Sequence, residues 1–190
     1  MVYFVLAALT PMTLVSGHCI SIPAGYELLG THPFTLSVSA GTRTLYGVRA
    51  SDGTLQKLII LQNETIDAGN ATRYVYPLKP SYELAGLTFK ATTFALSPVI
   101  EQHDSRNDEA AATEAFLRTH GLRQPDVWVV RRYAWHDDAG TLERIVFYME
   151  AAGPDTTLQF FGPSDIPAWT QAFEQVDADA RDALHASSCA

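Results

Sequence analysis

The chain is poor in positive charge. Its lysines are Lys57, Lys79 and Lys90, and acidic residues outnumber basic ones by 21 to 13, which gives a formal net charge of −8 over 190 residues. Nucleic-acid binding needs clustered Lys and Arg that neutralise phosphates, and an anionic membrane surface repels a chain of this charge. We therefore expect no nucleic acid as a partner, and a protein or a small molecule instead.

Local signatures of catalysis are missing as well. The sequence contains no Gly-x-Ser-x-Gly elbow and neither of the common glycine-rich phosphate loops. We therefore assign no catalytic residue and no cofactor, and we favour a binding or accessory protein over an enzyme. Catalysis by a pair of carboxylates stays open, because such pairs are recognised by their separation in space, which a sequence does not show.

No apolar run reaches the roughly 20 residues that a membrane-spanning helix needs. Residues 1–15 carry no charge and are mostly apolar, which is typical of a secretory signal, and Gly17 is small enough for cleavage to follow it. We predict a signal peptide over residues 1–17, one globular domain over residues 18–190, no stable membrane span in the mature chain, and a periplasmic or extracellular location. The alternative for residues 1–17 is a buried N-terminal strand or helix.

Cysteine is nearly absent, and its two copies lie near the ends of the predicted mature chain. They are Cys19 and Cys189. An even number of cysteines in an exported chain favours a disulfide, and the termini of a domain often lie close together. We predict that the two residues pair; if the chain is not exported, two free thiols are expected.

The pattern of turns and apolar residues predicts an α+β fold, built mainly on antiparallel hairpins. Residues 43–50 and 55–62 flank an Asp52-Gly53 turn and read as a hairpin. Residues 58–61 are continuously apolar, which indicates a central strand covered on both faces. Residues 73–78 and 87–96 read as further strands, so that we expect a sheet of six or seven strands.

Two amphipathic helices are predicted to pack on one face of this sheet. The first begins after Asn107 and ends before Gly121. The second begins after Ser164, and its apolar residues recur at steps of three and four, which places them on one stripe. These residues are Ile166, Trp169, Phe173, Val176, Ala180 and Leu184.

A hairpin formed by residues 126–135 and 142–151 carries the main functional hypothesis. If its loop runs from Asp137 to Gly140, His136 lies opposite Thr141 and the two faces follow. One face is apolar and is expected to form core, with Arg132 and Glu143 close enough to pair near its open end. Its apolar members are Trp128, Val130, Ile145, Phe147 and Met149.

The other face of this hairpin is mixed and is expected to face solvent, as one face of an antiparallel sheet often does. It presents two guanidiniums beside two phenols, a combination that can hold a carboxylate or a phosphate. The candidate ligand-binding residues are Arg131, Tyr133, Arg144 and Tyr148. A small-anion binder is therefore the alternative function.

Two histidine–aspartate pairs give a third hypothesis. They are His103-Asp104 and His136-Asp137. Imidazole and carboxylate ligands suit zinc or iron, so convergence of the two pairs would indicate a metal-dependent hydrolase. The ordinary interpretation is that both pairs lie in solvated loops, and we assign no metal.

Overall fold

A computed structural model describes residues 10–15, 17–77, 81–98, 108–161, 166–187 and 189. These residues form an α+β fold, as predicted, with two sheets and three helices in the described part. The strands are β1 (Thr10–Val15), β2 (His18–Ile22), β3 (Glu27–Thr35), β4 (Ser39–Arg49), β5 (Leu55–Ile66), β6 (Ser81–Leu84), β7 (Leu87–Leu96), β8 (Trp128–His136), β9 (Leu142–Ala151) and β10 (His185–Ser187). The helices are α1 (Asp108–Thr119), α2 (Pro154–Phe161) and α3 (Ile166–Ala183).

Seven strands form one large antiparallel sheet in the order β3-β4-β5-β9-β8-β7-β6. The predicted central strand is β5, which pairs with β4 on one side and with β9 on the other. Its residues 58–62 are all buried. Since successive side chains of a strand point to opposite faces, a strand of this kind requires a cover on each face of the sheet.

One face of the large sheet is covered by α1. Leu117 of α1 packs with Leu58, Trp128 and Met149 in a core cluster, and Trp128 is fully buried. This is the face that the hairpin pattern predicted to be apolar. The α1 position also agrees with the sequence, because the helix ends at Thr119 and Gly121 follows with a φ of +67°.

The opposite face is buried too, so the prediction of a solvated face is wrong. Tyr133 and Tyr148 are 0% and 1% exposed and belong to a second core cluster. Ile20 of β2 and two residues of α3, Val176 and Ala180, lie in the same cluster. The two predicted helices therefore cover opposite faces rather than one, and the small sheet β1-β2-β10 helps α3 to cover the second.

A disulfide between Cys19 and Cys189 confirms the predicted pairing. The two Cα atoms are 5.4 Å apart, and 170 positions separate the residues in the sequence. Cys19 lies on β2, opposite Ser187 of β10. The bond therefore fastens the end of the chain to the small sheet.

The β8–β9 hairpin differs from its predicted register because of one aspartate. His136 lies opposite Glu143 rather than Thr141. The Asp137 carboxylate accepts hydrogen bonds from the backbone N–H groups of Thr141 and Leu142, at 2.8 and 3.0 Å, which keeps Thr141 inside the loop. The partner of each residue moves by two positions, so the residues that share a face stay the same.

One further segment differs from expectation. Residues 73–77 are not a strand, and residue 78 lies outside the described part. They belong to an irregular segment, residues 67–77, that we call the strap. In addition, β1 lies within the segment predicted as a signal peptide and pairs with β2. The predicted helix caps Asn107 and Ser164 lie outside the described residues.

An ion pair anchors α3 to the large sheet. Arg131 Nε lies 2.7 Å from Asp177 Oδ1, and these side chains are 13% and 21% exposed. Asp177 also pairs with Arg181, one turn further along α3. In the described part of the chain, no helix combines the length and the apolarity needed to cross a membrane.

We expect Asp177→Ala to lower the free energy of unfolding by about 1–3 kcal/mol, because it leaves the largely buried Arg131 without its carboxylate. Asp182→Ala is the matched control, since Asp182 is exposed on the same helix, and it should change stability by about 0.5 kcal/mol or less. Urea unfolding of both variants measures the difference. Equal stabilities would contradict the anchoring role of Asp177.

Candidate functional site

Buried polar residues occupy one end of the sheet face that α1 covers. On β5, Gln62 and Glu64 continue the alternation of Leu58 and Ile60, so they point to the same face. We call this group the polar cluster. Its members are Ser39, Arg43, Gln62, Glu64, Tyr74, Glu109, Thr113, Arg132 and Glu143.

Two carboxyl groups face each other at its centre. Glu64 and Glu143 are direct partners across β5 and β9, and they are 4% and 5% exposed. Glu64 accepts hydrogen bonds from the hydroxyls of Ser39 and Tyr74, both at 2.6 Å, and from the Gln62 amide at 2.8 Å. Each oxygen of the Glu64 carboxyl group therefore accepts at least one hydrogen bond.

Glu143 carries the proton of this pair. Burial, together with the neighbouring Glu64 carboxylate, raises the pKa of Glu143 to about 8. A neutral and an ionised carboxyl side by side are the parts of an acid–base pair. Both are buried here, however, and a substrate would have to enter the interface between α1 and the sheet to reach them.

Arg43 joins α1 to the cluster. Its guanidinium lies between the rings of Phe34 and Phe147, 5.6 Å from each centroid. It donates to the Gln62 side chain at 2.7 Å and to the Thr113 hydroxyl at 2.8 Å. Arg43 also forms an ion pair with Glu109 at 3.4 Å. The charge of Arg43 is thus compensated within the cluster.

Arg132 lies at the edge of the cluster and is differently placed. Its guanidinium carbon is 5.7 Å from the centroid of the Tyr76 ring, and the Tyr76 and His136 rings are 5.4 Å apart. In the described part of the chain, its nearest acidic partner is Glu143, with Nη2 3.6 Å from Oε1. The predicted Arg132–Glu143 pair is therefore present, but at a distance too long for a hydrogen bond.

The strap covers this edge of the cluster. Tyr74 and Tyr76 point inward from it, and Val75 between them is 80% exposed. The Tyr74 N–H donates to the Gly140 carbonyl at 2.8 Å. Gly140 has a φ of +64°, and a Cβ at this position would lie 2.9 Å from the backbone carbonyl oxygen of Tyr74. Glycine therefore allows the strap to approach the β8–β9 loop.

The four ligand-binding candidates share one face, but each has a partner within the chain or is deeply buried. Arg131 pairs with Asp177, and Arg144 Nε donates to the Leu14 carbonyl at 2.9 Å. Tyr133 and Tyr148 are in the core. Anion binding by this set stays a prediction, and it would require displacement of α3 or β1.

Tyr148 also borders an open cleft of about 270 Å³. The Tyr148 hydroxyl donates to Glu150 Oε1 at 2.6 Å, and Lys57 Nζ lies 2.5 Å from this carboxylate oxygen. The positive charge of Lys57 is therefore compensated by Glu150. Burial raises the pKa of Tyr26, which also lines the cleft, to about 12.

The metal hypothesis rests partly on residues outside the described part, His103 and Asp104. Asp137 is engaged in the loop, and His136 Nδ1 lies 2.7 Å from the Asp137 carbonyl oxygen. Among described residues, no group of three or more His, Cys, Asp or Glu is arranged to hold a metal ion. Convergence of the two pairs stays a prediction.

Sequence reasoning found Arg132 and Glu143 but missed Glu64 and the strap tyrosines. A signal for Glu64 exists, because it lies at an even position in the alternation that begins with Leu58. The prediction missed Glu64 because the predicted strand ends at residue 62, whereas β5 continues to Ile66. No local pattern places Tyr74 and Tyr76 over the sheet.

We expect the protonated Glu143 to make stability depend on pH. Its pKa is about 8 in the folded chain and near 4.5 when unfolded, so the folded state binds the extra proton between these values. The contribution of Glu143 to stability is complete below pH 4.5 and is lost as the pH rises through 8. Between pH 5 and pH 8, this loss amounts to up to about 4 kcal/mol.

Glu143→Gln should remove this dependence, since its amide can donate to Glu64 as the protonated acid does. The measurement is the free energy of unfolding in urea at several pH values for the wild type and the variant. Glu174→Gln, on the exposed side of α3, controls for the loss of one carboxyl and should retain the wild-type slope. Parallel pH profiles for the wild type and Glu143→Gln would contradict the shared proton.

Comparison of the chain with protein-family models, with curated proteins and with solved structures finds no match. Among the described residues, the polar cluster with Arg132 at its edge is the candidate functional site.

Proposed function

We propose that this chain is an exported, non-catalytic binding or accessory domain that works in the periplasm or outside the cell. The observation that carries the proposal is the Cys19–Cys189 disulfide. Disulfides persist in oxidising compartments and are rare where thiols are kept reduced. The apolar residues 1–15 supply the matching export signal in the sequence.

The state of the polar side chains supports binding over catalysis. Arg43 and Glu109 neutralise each other, and Glu64 is satisfied by three donors. Buried groups paired in this way hold α1 and the strap on the sheet, whereas a catalytic group needs access to a substrate. We therefore interpret the polar cluster as a rigid support for a binding surface.

Export and cleavage after Gly17 would have a structural consequence. The processed chain would lack β1, so β2 would keep β10 as its neighbour and Arg144 would lose the Leu14 carbonyl. The disulfide would be retained, because Cys19 lies beyond the cleavage point. The mature domain would then depend more strongly on the Cys19–Cys189 bond.

Expression of residues 1–190 in a bacterial host with a periplasm tests the proposal. We expect the chain in the periplasmic fraction, with a mature N-terminus at His18 by mass spectrometry and no free thiol under non-reducing conditions. Cys19→Ser combined with Cys189→Ser should lower the free energy of unfolding by about 2–5 kcal/mol, because the unfolded chain loses a constraint that spans nearly its whole length.

The same double variant, compared with the wild type in reductant, separates the bond from the substitutions. Both should show the same lowered stability. A full-length chain with two free thiols in the cytoplasm would overturn the export proposal.

A further inference from the structure

Arg131 and Arg132, which are adjacent on β8, point to opposite faces and have different partners. Arg131 points to the face under α3 and is paired with Asp177. Arg132 points to the opposite face, is 25% exposed, and forms no hydrogen bond in the described part of the chain. We propose that Arg132 binds the carboxylate of a small organic acid at the edge of the polar cluster.

The guanidinium of Arg132 has unused donors beside an aromatic ring. Its carbon lies 5.7 Å from the centroid of the Tyr76 ring, and its N–H groups make no hydrogen bond in the described part of the chain. A guanidinium offers these donors as a fork that matches the two oxygens of a carboxylate. The Tyr76 hydroxyl is buried and has no hydrogen-bond partner among the described residues, so it is a further unused donor.

In the described part of the chain, no carboxylate lies within hydrogen-bond distance of Arg132. On the same face, Arg43 pairs with Glu109, and Glu64 accepts hydrogen bonds from other side chains. Glu143, at 3.6 Å, is neutral when it holds the shared proton. Lys90 of β7, opposite Ala134, adds a second positive charge to this face.

The same charges select the class of ligand. Glu64 and Glu109 lie near enough to act on Arg132 electrostatically, so a dianion such as phosphate would be repelled more strongly than a carboxylate with one charge. The Tyr76 and His136 rings, 5.4 Å apart, offer an apolar surface to the body of the ligand. An organic monocarboxylate with a ring or a short chain satisfies both conditions.

Glu143 gives the site a pH dependence. The groups that face it are Glu64 on β5, Arg43 on β4, Arg132 and His136 on β8, and Tyr74 of the strap. Glu109 on α1 pairs with Arg43, and Tyr76 of the strap lies next to Arg132. When Glu143 loses its proton, the new carboxylate lies 3.6 Å from Arg132 and competes with the ligand for the same donors. Affinity should therefore fall as the pH rises through about 8.

This inference rests on the proposed function, since it names the ligand class of the proposed binding domain. It can be tested by calorimetric titration of the purified, disulfide-bonded chain with sodium benzoate at pH 7.4, where phosphate is largely the dianion and most of Glu143 holds its proton, and with sodium phosphate and sodium chloride at the same ionic strength. We expect saturable binding of benzoate, with a dissociation constant on the order of 1 mM, weaker binding of phosphate, and none of chloride.

Variants locate the site. Arg132→Gln should weaken benzoate binding about tenfold or more, whereas Arg118→Gln, an arginine that is 77% exposed on α1, should leave it unchanged. Glu143→Gln should retain at pH 9 the affinity that the wild type loses. Circular dichroism and melting temperatures establish that each variant is folded.

Three results would overturn the inference. They are no saturable binding of benzoate to the wild type, unchanged binding by folded Arg132→Gln, and tighter binding of phosphate than of benzoate. None of them bears on the mature N-terminus or on the state of the cysteines, so failure of the ligand proposal is distinguishable from failure of the export proposal.

Discussion

The central strands β5 and β9 carry buried side chains on both faces, and the rest of the structure depends on covering them. Apolar strands of this kind cannot leave a face in water, because several large side chains would then be exposed at about 25 cal/mol for each Å². Helix α1 covers one face, and α3 with the small sheet covers the other. The Cys19–Cys189 bond and the Arg131–Asp177 pair act on the second cover, which is assembled from both ends of the described chain.

The face beneath α1 changes from apolar to polar along the strands, and this change creates the candidate site. Isolated buried charges are strongly unfavourable, so the structure satisfies Glu64 with three donors and keeps Glu143 protonated. Arg43 lies inside this network, whereas Arg132 lies at its border. A stable scaffold and a binding group can therefore be neighbours without using the same hydrogen bonds.

The surroundings of Arg131 and Arg132 show how much of the candidate site a sequence can predict. Both arginines are visible in the hairpin pattern, and their opposite faces follow from alternation alone. The sequence favours Arg131 as the ligand-binding residue because its face looks mixed. That face is buried by α3, and Arg131 is held by Asp177, which lies 46 positions further along the chain. No local pattern can predict such a partner.

From the sequence alone follow the α+β class, the alternation of faces on β8 and β9, the positions of α1 and α3, and the pairing of Cys19 with Cys189. These features depend on local periodicity, turn chemistry or the number of cysteines. The tertiary structure decided which helix covers which face, the path of the strap over Glu64, and which of the two arginines keeps free donors. Those outcomes depend on contacts between residues far apart in the chain, and local periodicity carries no information about them.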